Sequence, residues 1–110
     1  MECIFCQIIA GKFSSNKLLE TEKVLVIENI NPEAPFHGLA IPKKHLELAN
    51  LDEGEREILG EVILAAKRIG NKKCPGGYRL VVNIGEDSNR EIDHLHMHIL
   101  GGKNLGKMLE

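Results

Sequence analysis

The chain has 110 residues, 14 Lys plus Arg against 16 Asp plus Glu, a formal net charge of −2 and no Trp. A chain of this size buries about 60–70% of the surface it exposes unfolded, enough for one core, so a single domain spanning residues 1–110 is expected and a second is excluded. With no basic stripe or run of like charge, nucleic acid is an unexpected partner, and Glu2 with a short N-terminal apolar stretch argues against a secretory leader or membrane span, which makes a cytoplasmic location the expectation.

Ile4, Phe5, Ile8 and Ile9 recur at i, i+1, i+4 and i+5 and the run stops at Gly11, predicting a short N-terminal helix. Val24 to Ile30 and Gly38 to Ile41 are short aliphatic runs on either side of Asn31-Pro32-Glu33-Ala34-Pro35, and predict neighbouring antiparallel strands. Asp52 with Glu55 three residues on is a capping-box variant. Ile58, Leu59, Val62, Ile63, Ala66 and Ile69 then make one apolar stripe, with Gly70 expected to end the helix. After the Pro75-Gly76-Gly77 turn, Tyr78 to Ile84 and His94 to Leu100 read as strands joined by the polar loop Gly85 to Asp93. This order does not alternate strand and helix, so the expectation is an α+β fold with a mostly antiparallel sheet.

The five histidines are the informative residues. In His94-Leu95-His96-Met97-His98-Ile99 the period is two, so on a strand three imidazoles share one face while Leu95, Met97 and Ile99 share the other. Three readings stand: a half-exposed strand with surface histidines, a catalytic zinc held by His-x-His, and an imidazole nucleophile oriented by its neighbours. Only His96 has an imidazole on both sides, so its orientation and protonation would be set from both directions. Three cysteines in a reducing compartment suggest ligands, nucleophiles or fillers rather than disulfides, and Cys3-x-x-Cys6 has zinc-ligand spacing. Cys74, beside Pro75, is read as inert.

The triad followed by Ile99-Leu100-Gly101-Gly102, the run from Pro35 to His45 (PFHGLAIPKKH) and the start from Cys3 to Gly11 (CIFCQIIAG) resemble, in order and over nearly the whole chain, the histidine-triad (HIT) family. The resemblance is closest to its nucleotide-binding (HINT) branch. It implies a five-stranded antiparallel sheet with one long and one short helix, and a homodimer whose two sheets join. It also implies a purine nucleotide substrate, typically a nucleoside phosphoramidate, hydrolysed or transferred at the α-phosphate. His96 would be the nucleophile forming a nucleotidyl-histidine, His94 and His98 would flank it, and His37 would lie near the phosphate. The base would rest on Ile4, Phe5, Ile8, Ile27 and Ile30, the ribose on Asn29, where the family usually has Asp, and Asn83 would reach the phosphate or ester oxygen. The resemblance further implies a structural Zn²⁺ on Cys3, Cys6, His45 and His94. A dinucleoside polyphosphate hydrolase, or a zinc- and nucleotide-binding module with little catalysis, is the alternative.

The family pattern departs just before the triad. Where a Gly-Gln-Ser/Thr/Glu-Val loop is usual, this chain has Asn89, Arg90, Glu91 and Ile92. The missing glycine matters if its backbone approaches phosphate closely or needs positive φ, a region that Asn89 tolerates better than most residues would. A Glu91 carboxylate aimed at phosphate from about 4 Å would cost roughly 1 kcal/mol in water and about 4 kcal/mol at an effective dielectric near 20. The expectation is therefore that it points outward and leaves its amide to the phosphate, with Arg90 as a candidate clamp.

Overall fold

The computed structural model describes residues 3–89 and 92–108. Arg90 and Glu91 lie outside the described residues, and so does the expectation about them.

The chain begins with the short helix α1 (Ile4–Ile9), followed by strands β1 (Lys17–Glu20), β2 (Val24–Glu28) and β3 (Phe36–Pro42), the long helix α2 (Arg56–Lys73), and strands β4 (Tyr78–Val81) and β5 (Met97–Gly101). The five strands form one antiparallel sheet in the order β1-β2-β3-β5-β4. This is the α+β architecture expected.

Side-chain alternation gives the sheet two different faces. Val24 and Val26 of β2, Ala40 of β3 and Ile99 of β5 pack with Val62, Ala65, Ala66 and Ile69 of α2. The residues between them, Leu25, Ile27, Leu39 and Ile41, turn the other way and pack with Phe5 of α1. Burial of each large aliphatic side chain contributes about 1.5–3 kcal/mol, so both helices are held mainly by this contact rather than by helix propensity. The start of α2 is capped as its sequence predicts: Asp52 accepts from the Gly54 N–H at 2.8 Å, and Glu55 reaches back to the Asp52 N–H at 3.4 Å. One 3₁₀ turn, Glu53–Glu55, intervenes before the α-helix proper.

Several boundaries differ from the pattern reading. The strand expected over 94–100 is ladder-paired only from Met97, because the Leu95 N–H bonds the Leu46 carbonyl and the His94 carbonyl is taken by the His96 ring. The strands expected over 24–30 and 78–84 stop at Glu28 and Val81, whereas the one expected over 38–41 extends to Phe36–Pro42. β1 was not marked by the pattern, since four residues with no alternation carry no signal; it exists through pairing with β2. Gly70 does not end α2, which runs on to Lys73. A Cβ at Gly70 would lie 2.4 Å from Tyr78 Cε2, so the glycine makes room for an aromatic ring. Ile63, assigned to the buried stripe, is 45% exposed beside Leu64, and Ala65 takes its place in the core.

Candidate active site and metal centre

β3 and β5 set the frame of the site. Leu39 pairs with His98 and His37 with Leu100, so His37 and His98 are diagonal neighbours on the face turned away from α2. His37 Nε2 lies 2.8 Å from His98 Nδ1. The Glu33 N–H donates to His37 Nδ1 at 3.0 Å, which leaves the proton of a neutral His37 on Nε2, where it donates to His98. The proton of a neutral His98 is then on its own Nε2. Asn29 Nδ2 also lies 3.3 Å from His37 Nε2, and its Oδ1 accepts from the Asn31 N–H at 2.9 Å. The shorter His37–His98 contact determines the tautomer.

The same reasoning fixes His96. Its Nδ1 lies 2.7 Å from the His94 carbonyl, which can only accept, so Nδ1 carries the proton and Nε2 keeps its lone pair. His96 is 7% exposed, with its ring centroid 5.0 Å from Phe5 and 5.1 Å from His98. The expectation that imidazoles on both sides set this ring is corrected here. His98 flanks it, but the His94 ring turns elsewhere and His94 contributes its backbone carbonyl.

Burial lowers the pKa of His37, with the Glu33 carboxylate opposing. His98 is pushed down to about 4, first by burial and then by His96 and His37. Both rings are neutral near pH 7, as the tautomer assignments require.

A cleft of about 970 Å³ opens over this face, lined among others by Ile4, Phe5, Ile8, Ile27, Asn29, Ile30, Asn83, Asn89, Ile92, His96 and His98. The structure therefore brings Ile4, Phe5, Ile8, Ile27, Asn29, Ile30, Asn83 and Asn89, all expected to touch a nucleotide, to one cleft with His96 and His98; Arg90 and Glu91 lie outside the described residues. His37 is not in the lining and reaches the cleft through His98. Ile30, 87% exposed, stands at the rim rather than in a wall. Asn83 lies two residues past the end of β4. Asn89 has φ +62°, the left-handed conformation that its amide side chain tolerates. The cleft also includes Phe13, Ser88 and Glu33, which pattern reading does not reach. The Glu33 hydrogen bond that sets the His37 tautomer comes from a backbone amide, for which no residue type is a signal.

Cys3, Cys6, His45 and His94 form a second cluster, each with one ligand atom within 4.8 Å of all the others. Cys3 Sγ and Cys6 Sγ lie 3.3 Å and 3.6 Å from His94 Nδ1, and Cys6 Sγ lies 3.3 Å from His45 Nδ1. The S-to-N edge of a tetrahedral Zn²⁺ site, with bonds near 2.3 Å and 2.05 Å, is about 3.6 Å, so the spacing fits a closed Cys₂His₂ centre. The His94 Nε2 lies 2.9 Å from the Pro42 carbonyl, which places its proton there and points the Nδ1 lone pair at the sulfurs. Burial lowers the His94 pKa, with the Pro42 carbonyl opposing. Cys74 lies apart from the cluster, 3% exposed, its thiol pKa raised by burial.

Comparison with known proteins agrees with this geometry. Residues 2–109 match the family model described as scavenger mRNA decapping enzyme C-term binding. A HIT-like protein of Chlamydia trachomatis is 40% identical over 98% of this chain and 99% of its own length. A HIT family hydrolase from Clostridium thermocellum superposes with a TM-score of 0.93 at 36% identity, covering 99% of this chain and 97% of the other. A Zn-bound histidine triad family protein from Mycobacterium smegmatis superposes with a TM-score of 0.79 at 26% identity, over 97% of this chain and 79% of the other. The alternating imidazoles on a five-stranded sheet and these matches lead to one conclusion: the chain belongs to the histidine-triad family.

Proposed function

We infer that the protein is a nucleotide hydrolase or nucleotidyl transferase that acts at the α-phosphate of a purine nucleoside phosphoramidate or related nucleotide, with His96 as nucleophile. The observation that carries this reading is the His96 Nδ1–H bond to the His94 carbonyl, 2.7 Å long. It frees Nε2, the nitrogen on the other side of the ring, for a substrate in the cleft that His96 lines. Nε2 attacks phosphorus of the N-protonated phosphoramidate, the N–P bond forms as the P–N bond to the leaving amine breaks, and the amine departs neutral with the proton it already carries from solvent. The resulting imidazolium keeps its Nδ1–H on the His94 carbonyl. Water then attacks phosphorus, the bond to His96 breaks, and the nucleoside monophosphate leaves. His98, neutral and with its proton on Nε2, donates a hydrogen bond to a phosphoryl oxygen or to the leaving group.

Ile4, Phe5, Ile8 and Ile27 would receive the base, with Ile30 at the rim, Asn29 the ribose, and Asn83 and Asn89 the phosphate. Cys3, Cys6, His45 and His94 would hold a structural Zn²⁺, a use consistent with the Zn-bound relative and with four protein ligands that leave no open position. When bound, the ion would tie α1 to the segment leading into β5. The strand order leaves β4 as an edge whose free backbone groups would join two sheets in a homodimer. Among the described residues no helix is long and apolar enough to cross a membrane, and a cytoplasmic location is the reading retained.

Incubation with adenosine phosphoramidate is expected to release adenosine monophosphate. His96→Ala should lower kcat by roughly 10³-fold or more while leaving the protein folded. Turnover in that variant at the unmodified rate would overturn the assignment.

A further inference from the structure

His94 is tied at three points that lead to three different places. Its Nδ1 faces Cys3 Sγ and Cys6 Sγ, its Nε2–H meets the Pro42 carbonyl, and its own carbonyl accepts from His96 Nδ1. Phe5, the residue before Cys6 on α1, is buried with its ring centroid 5.0 Å from His96 and 5.8 Å from His94. Two paths, one through a peptide carbonyl and one through an aromatic contact, therefore connect the cysteine pair to the ring read as nucleophile.

We propose that Cys3 and Cys6 form a thiol switch that sets the position of His96 through His94 and Phe5. With both thiols reduced, the cluster holds α1 and the His94 peptide, and so keeps the carbonyl and the Phe5 ring against His96. A Cys3–Cys6 disulfide withdraws both sulfurs from His94 and His45 and loosens the two supports together. His94 and Phe5 are in this sense positioning residues, and the functional consequence rests on the reading of His96 as nucleophile.

The chemistry is suited to the place. The Sγ atoms of Cys3 and Cys6 lie within 4.8 Å of each other, and both cysteines are half-buried rather than sealed, unlike Cys74. With glutathione disulfide as oxidant, one cysteine thiolate attacks it to give a mixed disulfide and release one glutathione thiolate. The second cysteine thiolate then displaces the other glutathione. Two electrons pass to the glutathione disulfide, which departs as two thiols; their two protons come from the cysteines where these are free thiols and from solvent where they are Zn-bound thiolates. Disulfide sulfurs are no longer thiolate ligands, so any bound Zn²⁺ is released as the hydrated ion.

The test compares reduced, zinc-loaded protein with protein treated with glutathione disulfide, following the histidine ring nitrogens by long-range ¹H–¹⁵N NMR alongside phosphoramidate turnover. Expected are the loss of two of the three thiols, loss of the hydrogen-bonded His96 Nδ1–H signature, and a fall in kcat of about 10- to 100-fold, all restored by dithiothreitol with zinc. Cys74→Ser should respond as the unmodified protein does, and the double variant Cys3→Ser, Cys6→Ser should start in the loosened state and not respond to the oxidant. A disulfide that forms while the His96 signature and kcat stay unchanged would overturn the proposal. So would collapse of the Val26 and Ile99 methyl signals on oxidation, because the cysteines would then only hold the fold. If the reduced protein turns over no phosphoramidate, the nucleophile reading fails separately, and the ring-nitrogen comparison still decides whether the cysteines position His96.

Discussion

The two faces of the sheet are made by the same strands one residue out of step, and they satisfy burial in different ways. Toward α2, Val24, Val26, Ala40, Leu95 and Ile99 bring no side-chain polar atoms, and close packing is sufficient. Toward α1, a smaller apolar cluster of Leu25, Ile27, Leu39 and Ile41 gives way to His37, His94 and His96, all buried, with His98 beside them. A buried imidazole needs a partner for the nitrogen that carries its proton, and each partner of known polarity decides which nitrogen that is. Burial on the first face yields stability. On the second it also yields a defined set of proton positions, which is what a nucleophile that must be neutral at one nitrogen requires.

The contrast can be strained first at the strand that serves both faces. Ile99→Ala removes a fully buried side chain from the α2 face and is expected to cost about 2–5 kcal/mol in urea unfolding, with kcat of the folded fraction retained. A large loss of kcat at full folding would mean that the two faces are not separable. A smaller effect of the same kind is expected from Gly70→Ala. Helix propensity alone would favour the substitution by roughly 1 kcal/mol, but the Cβ would fall 2.4 Å from the Tyr78 ring, and overpacking of about 1–3 kcal/mol should dominate. A variant more stable than the parent would show that the Tyr78 ring moves aside freely.

The smallest effect belongs to the histidine face and to pH. His98 has a pKa of about 4 in the folded protein against an ordinary value of 6.5, so between these limits the unfolded chain binds the proton and the folded one does not. Stability is accordingly unaffected by this group above pH 6.5, falls as pH drops from 6.5 to about 4, and levels below that. His37 and His94, also lowered by burial, act in the same direction. His98→Gln should make the melting temperature less steep in pH across that window. An unchanged slope would show that His98 is not held neutral.

Much of this was legible in the residues, for reasons that differ from element to element. The period of two placed Leu95, Met97 and Ile99 on the α2 face and His96 and His98 on the cleft, but not the ring of His94, which sits at a bend before the ladder begins and turns to the cysteines. Asp52 and Glu55 announced the start of α2 because a capping box is local chemistry. Gly70 misled because a glycine that accommodates a neighbour's ring looks, in sequence, like one that ends a helix. β1 was silent because four residues at a sheet edge take their strand character from pairing. In the site, spacing and family pattern grouped the imidazoles and the cysteines, but the groups that fix the tautomers are the Glu33 amide and the carbonyls of Pro42 and His94. Backbone groups are the same at every position, so no residue type could have named them.

The central claim is that His96 Nε2 bonds to phosphorus during turnover. Acid-sensitive phosphoramidate linkages survive a rapid alkaline quench, so protein mixed with adenosine phosphoramidate, stopped within one turnover and digested, should give a peptide containing His96 with the added mass of an adenylyl group. The account predicts that adduct on His96 and its absence in His96→Ala. Release of monophosphate with no adduct on any histidine, or an adduct on His94 or His98 instead, would contradict it.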